Sequence, residues 1–382
     1  MNKTIPYGRQ SINGNDINQI IKVASGNYLT TGPKIIEFEK KIKNYTKAKY
    51  ASVCNSGTSA LYLALKSINI KTNDIIIMPA VNFIASYNVC KILNAKIFLT
   101  DVDSLTGRMR PQHVLDCIKK NKIKKIKAII TMHLGGDPGN VTEFFKLKKR
   151  FKCFLIEDAC HALGSEYLYN KKKYKVGSAK HVDLSTFSFH PIKTITTCEG
   201  GAVTTNNKLL FKKISLFKSH GIVRSKFSHW KYNVVSPGLN FRLSDLNCAL
   251  GISQMNRINK FIKERENIAK FYIKNFEKFK GLLSFSKIKS SKNSWHLFII
   301  NINFKNLLQK DSFFKFLKKN NVYVQFHYIP IYKFSLAKNF QKMTGCEKYH
   351  KSAVSLPIYC GLKKKQQLKI IKLVIGFLKK II

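Results

Sequence analysis

Two hydrophobic rhythms take turns along the first two-thirds of the chain. In KIIEFEKKIKNY (34–45) and TSALYLALKSI (58–68) apolar residues return every three or four positions, which predicts helices with a buried face. Between and after them come short, nearly continuous apolar runs: YASVCN (50–55), DIIIMPA (74–80), KAIITMH (127–133), CFLIEDA (153–159), VDLSTFSF (182–189) and GAVTTN (201–206). Runs of this length predict strands, several of them covered on both faces. Alternation of the two kinds predicts an α/β architecture with a large, mostly parallel or mixed sheet and helices on both sides. Ligands of such sheets sit beyond the carboxyl ends of the strands.

From about residue 256 the texture changes. INKFIKERENIAKFYIKNFEKF (258–279) is helical and lysine-rich, and WHLFIINI (295–302) reads as a short strand. The expectation is a large domain over 1–255, with an N-terminal arm, and a small α+β domain over 256–382. A chain of 382 residues exceeds what one core usually serves. The C-terminal LKIIKLVIGFLKKII (368–382) has the pattern of a basic amphipathic helix. Its apolar stripe is expected to pack on its own domain rather than lie on a membrane.

Composition narrows the function classes. A hydrophobic fraction of 45% excludes a disordered chain. The formal charge of +48 is carried by sixty lysines and only eight arginines, scattered along the whole length among many Ile, Asn and Phe residues. A nucleic-acid surface concentrates basic residues on one element with interleaved aromatics, so the charge reads as compositional bias and no nucleic-acid partner is expected. An anionic substrate would still be attracted. Nine dispersed cysteines without a CxxC pair predict reduced thiols and no metal site. The opening MNKTIPYGRQSING lacks an apolar leader stretch, and IIIMPAVNFIASY (75–87) is too short and interrupted to span a bilayer. A cytoplasmic protein without membrane insertion is expected.

Three polar clusters punctuate the alternation. NSGTSAL (55–61) lies between a strand and a helix, where backbone N–H groups and hydroxyls suit a phosphate, though a plain Ser/Thr helix cap reads equally well. IEDACHALGSEY (156–167) ends a strand on Glu157-Asp158, with His161 three residues on. A carboxylate there either caps a helix or faces a cationic partner, such as a protonated heteroaromatic nitrogen. STFSFHPIKTITTCEGG (185–201) sets Ser185, Ser188, Lys193 and Thr194, Thr196 and Thr197 just after another strand. A partly desolvated lysine loses its charge readily and can join an aldehyde as a Schiff base. In a chain so rich in lysine only the company of Lys193 singles it out. Pyridoxal phosphate needs that company: a lysine for its aldehyde, a carboxylate for its ring nitrogen, donors for its phosphate and an aromatic for its face. Phe83, in PAVNFIAS (79–86), could supply the face or simply pack in the core.

On these residues the chain resembles the sugar aminotransferases of the DegT/DnrJ/EryC1/StrS family. The similarity also runs through LTTGP (29–33), SHG (219–221), GLNFRLSDLNCALGISQM (238–255), VQFHYIPIY (324–332) and SLPIYCGL (355–362), in order over nearly the full length. It implies the type I fold of pyridoxal-phosphate transferases, as in aspartate aminotransferase. It also implies Lys193 as the catalytic Schiff-base lysine and Asp158 as partner of the pyridine nitrogen. Ser188, Gly57 and Thr58 would hold the phosphate, with Ser59 nearby. Asn240 would reach the phosphate in a neighbouring subunit, so the active site would be shared across a homodimer. His161, where many members have glutamine, would bond the cofactor's 3-oxygen.

That histidine, with HALGSEY and HYIPIY, resembles the branch acting on UDP-4-keto-6-deoxy sugars in pseudaminic acid synthesis, with L-glutamate as amino donor. His327, Tyr328 and Trp230 of FSHWKYN (227–233) would then line the sugar-nucleotide side, and Tyr7, Thr30 and Arg242 are counted there as substrate-binding; Trp230 could instead pack in an exposed turn, and Arg242 could be a structural ion-pair residue. An aminotransferase for a dTDP- or GDP-linked keto-deoxyhexose is the main alternative. A dehydratase of the same fold would carry histidine in place of Lys193, and a cysteine desulfurase would need a thiol on a mobile loop. A nucleic-acid-binding regulator would need an added domain, for which the motifs leave no room.

Overall fold

The computed structural model describes residues 4–286, 291–338 and 340–381. Seven strands form the main sheet: β1 Tyr50–Cys54, β2 Ile75–Pro79, β3 Lys96–Thr100, β4 Ala128–Met132, β5 Phe154–Asp158, β6 Leu184–Ser188 and β7 Gly201–Thr205. Their order is β1-β7-β6-β5-β4-β2-β3. All pairings from β3 to β6 are parallel, and only β7 runs against its two neighbours. Six strands fall inside the runs read from the sequence. The seventh, β3, was not foreseen: it is an edge strand that opens on the exposed Lys96, leaving only Ile97, Phe98 and Leu99 as an apolar run.

The register sets the carboxyl ends in a row. Met132 is opposite Asp158, Asp158 opposite Thr186, Ser188 opposite Gly201, and Gly201 opposite Cys54. The loops that follow β1, β4, β5 and β6, the last of which leads into the antiparallel β7, therefore open at one edge, as expected of such sheets.

Helix Pro33–Thr46 begins with proline at its first turn, where the missing N–H costs nothing. Its own cap residue, Gly32, has no side chain to offer. Asp245, fully buried, fills the role from the far end of the large lobe, accepting the Gly32 and Lys34 N–H groups at 2.8 Å each. Thr30 and Ser244 form a backbone bridge beside it. LTTGP and the SD of GLNFRLSD are thus two halves of one cap.

Beyond residue 256 a three-stranded antiparallel sheet (Leu283–Ser284, Phe298–Ile302, Ala353–Leu356) packs with helices Ile258–Phe276, Leu307–Lys319 and Lys364–Ile381. Their core includes Tyr272, Phe298, Phe313 and Val354. The last helix adds Ile370, Val374 and Leu378, so its apolar stripe is spent within its own lobe. Among the described residues no helix is long and apolar enough to cross a membrane. Ile5 of the N-terminal arm pairs with Val322, and Ile331, Tyr332 and Tyr349 join the core of the main sheet. The two halves close over the carboxyl edge.

Candidate active site

A cavity of about 500 Å³ opens at that edge, walled by residues from both halves of the chain. Its floor is Lys193, on the loop after β6. Burial pushes the Lys193 amine below the usual lysine range, and the neighbouring Cys160 and Asp158 pull only partly the other way. The threonines grouped with Lys193 in the sequence brace the loop: Thr196 Oγ1 donates to the Phe189 carbonyl at 3.0 Å and Thr197 Oγ1 to that of Glu199 at 2.7 Å.

Asp158 ends β5 in a buried position. Its carboxylate accepts the Cys160 N–H at 3.2 Å and the Ser86 hydroxyl at 3.4 Å, which leaves it capacity for a further donor in the cavity. At the opposite end the N-terminus of helix Gly57–Ser67 points its free N–H groups at the space, with Ser188 beside them. A Cβ at Gly57 would stand 2.8 Å from the Ser188 Cβ, so this close approach requires glycine. The Phe83 ring lines the wall between, half exposed.

The remaining wall is unusually rich in histidine. His161 is buried; its Nδ1 accepts the Gly135 N–H at 3.3 Å, and its Nε2 lies 3.0 Å from the Tyr328 hydroxyl. His327 Nδ1 pairs with the Ser355 hydroxyl at 2.9 Å. His296 stacks behind His161 and lines no part of the cavity. Burial, reinforced by Lys193, holds all three imidazoles neutral: His161 and His296 well below the ordinary histidine value, His327 at about 3.

Of the residues singled out from sequence, Tyr7, Gly57, Thr58, Phe83, Asp158, His161, Ser188, Lys193, His327 and Tyr328 meet at this cavity. Five do not line it within one chain. Ser59 turns its hydroxyl to Asn55 Oδ1 at 2.6 Å, inside the helix cap. Thr30 belongs to the cap around Asp245. The segment carrying Asn240 and Arg242 runs beside Asn55, with Asn240 exposed and bonding the Arg242 N–H. Trp230 is 67% exposed, in the turn of a ribbon formed by Ile222–Arg224 and Tyr232–Val234.

Sequence reading missed two supports. Ser86, in PAVNFIAS, could have been found as a hydroxyl one helical turn from Asn82, to which it is bonded at 3.2 Å. The buried Glu157, bonded to His133 Nε2 at 2.8 Å and to the Ser185 hydroxyl, joins three strand ends on the other face of the sheet. Nothing local signals that contact, because its members lie 24 and 28 residues apart.

Comparison with known proteins places this arrangement. The DegT/DnrJ/EryC1/StrS aminotransferase family profile matches residues 10–375. A UDP-4-amino-4,6-dideoxy-N-acetyl-beta-L-altrosamine transaminase of Campylobacter jejuni is 39% identical over 359 residues, 93% of this chain and 92% of that protein. Among solved structures, Helicobacter pylori PseC, an aminotransferase involved in the biosynthesis of pseudoaminic acid, superposes with a TM-score of 0.88 at 29% identity, covering 99% of this chain and 100% of its own. The PLP-form of the putative sugar aminotransferase Spr1654 from Streptococcus pneumoniae gives 0.89 at 25% identity, with both chains fully covered.

Proposed function

We infer the reaction from one premise: the chain belongs to the DegT/DnrJ/EryC1/StrS aminotransferase family and is a nucleotide-sugar transaminase. We propose that it binds pyridoxal phosphate and moves an amino group from L-glutamate to C4 of a UDP-4-keto-6-deoxy-N-acetylhexosamine. The product would be UDP-4-amino-4,6-dideoxy-N-acetyl-β-L-altrosamine, for pseudaminic acid synthesis. The observation that carries the reading is the meeting of Lys193, Asp158 and a glycine-opened helix N-terminus in one cavity. These are the groups that an aromatic aldehyde bearing a phosphate requires, and the residues fit it.

Pyridoxal phosphate, when bound, supplies an aldehyde that exchanges amines and a ring that withdraws electrons. Lys193 would hold the group through its aldehyde, and its amine, whose lowered proton affinity leaves more of it uncharged, would serve as the base for the proton on the donor's α-carbon. Asp158 would keep the ring nitrogen protonated, and Phe83 would offer its face to the ring. Gly57, Thr58 and Ser188 would take the phosphate at the positive end of the helix. His327 and Tyr7 would stand on the sugar side, with Tyr328, packed on Phe83, between them and the cofactor ring. At the acceptor, Lys193 would place a proton on the sugar's C4 as the amino group replaces the keto oxygen, which leaves as water.

We further propose a homodimer. Phe227, Trp230, Tyr232 and Val234 leave the ribbon an apolar face in water, and Asn240 adjoins it outside its own chain's cavity. A second copy covering this face would bring Asn240 to the neighbour's phosphate and Trp230 to its sugar side. Domains of 1–255 and 256–382, and a cytoplasmic setting, complete the reading.

The test is the visible spectrum of purified protein with pyridoxal phosphate, before and after L-glutamate, beside Lys193→Ala. A band that glutamate bleaches in the wild type alone is expected. Recolouring the bleached protein with UDP-, dTDP- and GDP-linked 4-keto sugars then identifies the acceptor, and a preference for dTDP or GDP would replace the substrate proposed. A band unaffected by Lys193→Ala would remove Lys193 from its role.

A further inference from the structure

The hydrogen-bond chain at His161 has a direction. A backbone N–H can only donate, so the Gly135 bond at 3.3 Å requires Nδ1 of His161 to be the bare, accepting nitrogen. Burial and the neighbouring Lys193, His296 and His327 keep the ring neutral, so it carries one proton. That proton sits on Nε2, whose partner is the Tyr328 hydroxyl at 3.0 Å. The Tyr328 oxygen therefore accepts from His161, and its own O–H is free to donate elsewhere. Among the described residues no other group bonds to that hydroxyl, and Tyr328 lines the cavity together with Lys193, Asp158 and Phe83. Burial and the charge of Asp158 hold the phenol protonated at any working pH.

The aim of the hydroxyl is fixed mechanically as well. The Tyr328 ring lies 5.6 Å from Phe83, 4.9 Å from His327 and 5.9 Å from His161, centroid to centroid. The His161 ring is held from behind by His296 at 4.0 Å. Both rings are confined, and the one hydrogen bond between them orients the phenolic proton toward the cavity.

We propose that Tyr328 donates the hydrogen bond to the ring oxygen of the bound cofactor, and that His161 is the positioning residue that aims it. The proposal rests on pyridoxal phosphate being the ligand, and it differs from the direct His161 contact that the family resemblance implies. His161 cannot donate to both: its only proton is committed to Tyr328. A glutamine in its place could do the same work, its carbonyl accepting from Gly135 and its amide donating to Tyr328.

Two measurements test it. The first needs no cofactor: ¹⁵N spectra of histidine-labelled protein, with His161→Gln to assign the signal. A bare Nδ1 and protonated Nε2 at His161 are expected, and the opposite tautomer would overturn the proposal. The second is the pH midpoint of the visible band of pyridoxal-phosphate-loaded wild type, Tyr328→Phe, His161→Gln and His161→Leu. A donor on the ring oxygen draws electrons from it and favours the deprotonated form, so its loss raises the midpoint.

Tyr328→Phe and His161→Leu should both raise it, by about one pH unit for one such bond, while His161→Gln stays near wild type. If Tyr328→Phe titrates as wild type while His161→Leu shifts, the donor is His161 and the proposal fails. Absence of a band in every protein, wild type included, would refute the cofactor reading and with it the acceptor named here. The tautomer measurement would still decide whether His161 aims Tyr328.

Discussion

His296 lies with its ring centroid 4.0 Å from that of His161, buried, and among the described residues neither of its ring nitrogens has a hydrogen-bond partner. A buried polar group without a partner is a standing cost to the fold. It is tolerated here where the ring backs a residue of the cavity wall. His296→Leu keeps nearly the same volume and removes both nitrogens. It should raise unfolding stability at pH 7.5 by about 1–2 kcal/mol in urea titrations. A net loss of stability would show that a bound water or ligand satisfies the ring.

Acid should unfold the protein early. His161, His296 and His327 have lowered proton affinity in the folded chain, His327 to about 3, whereas in the unfolded chain each titrates near the ordinary histidine value of 6.5. Below that value the unfolded chain binds more protons than the folded one. Stability is therefore complete above pH 6.5 and declines as pH falls toward the folded values. Each histidine contributes up to about 1.4 kcal/mol per pH unit. Urea midpoints between pH 7.5 and 5 should fall steeply, and His327→Gln should remove about one proton from the slope. A flat profile would mean that these groups are charged in the folded chain.

Glu157 ties three strand ends together through His133, Ser185 and the Gly177 N–H. Burial alone would raise its pKa, but these bonds outweigh it and hold the carboxyl below its usual range. Its contribution is therefore present at neutral pH and is lost only in acid, as pH falls below about 4.5 toward the folded value. Glu157→Ala leaves a buried imidazole, hydroxyl and N–H unpaired, and should cost about 3–5 kcal/mol by thermal or urea unfolding. A cost below about 1 kcal/mol would show that water replaces the carboxylate.

Gly57→Ala tests the anion end of the cavity. The added methyl would meet Ser188 at 2.8 Å and push the end of β6 from the helix terminus. Affinity for pyridoxal phosphate, and for inorganic phosphate as a competitor, should fall at least about tenfold, the effect of losing one good hydrogen bond to a charged group. Stability should change less, since Ser56 still caps the helix through the Ser59 N–H at 3.0 Å. Unchanged affinity for both ligands would place the phosphate elsewhere.

Much of this protein was legible in one dimension because its determinants are local. The six apolar runs became strands, and PKIIEFEKKIKNYT and GTSALYLALKS became helices, since burial on a sheet and helical spacing are properties of neighbouring residues. Lys193, Asp158 and Gly57 could be grouped because each sits at or just beyond the carboxyl end of a strand, and parallel strands bring those ends to one edge.

Tertiary structure alone decided the rest. The contact of Asp245 with Gly32 spans 213 positions, that of Tyr328 with His161 spans 167, and no periodicity encodes either. Thr30, counted as substrate-binding in the sequence, stands in the cap that the first of these contacts forms. Nor could the sequence foresee three neutral histidines around one lysine: proton affinity depends on how much water the closed fold removes, and that is set only when both halves of the chain meet over the sheet edge.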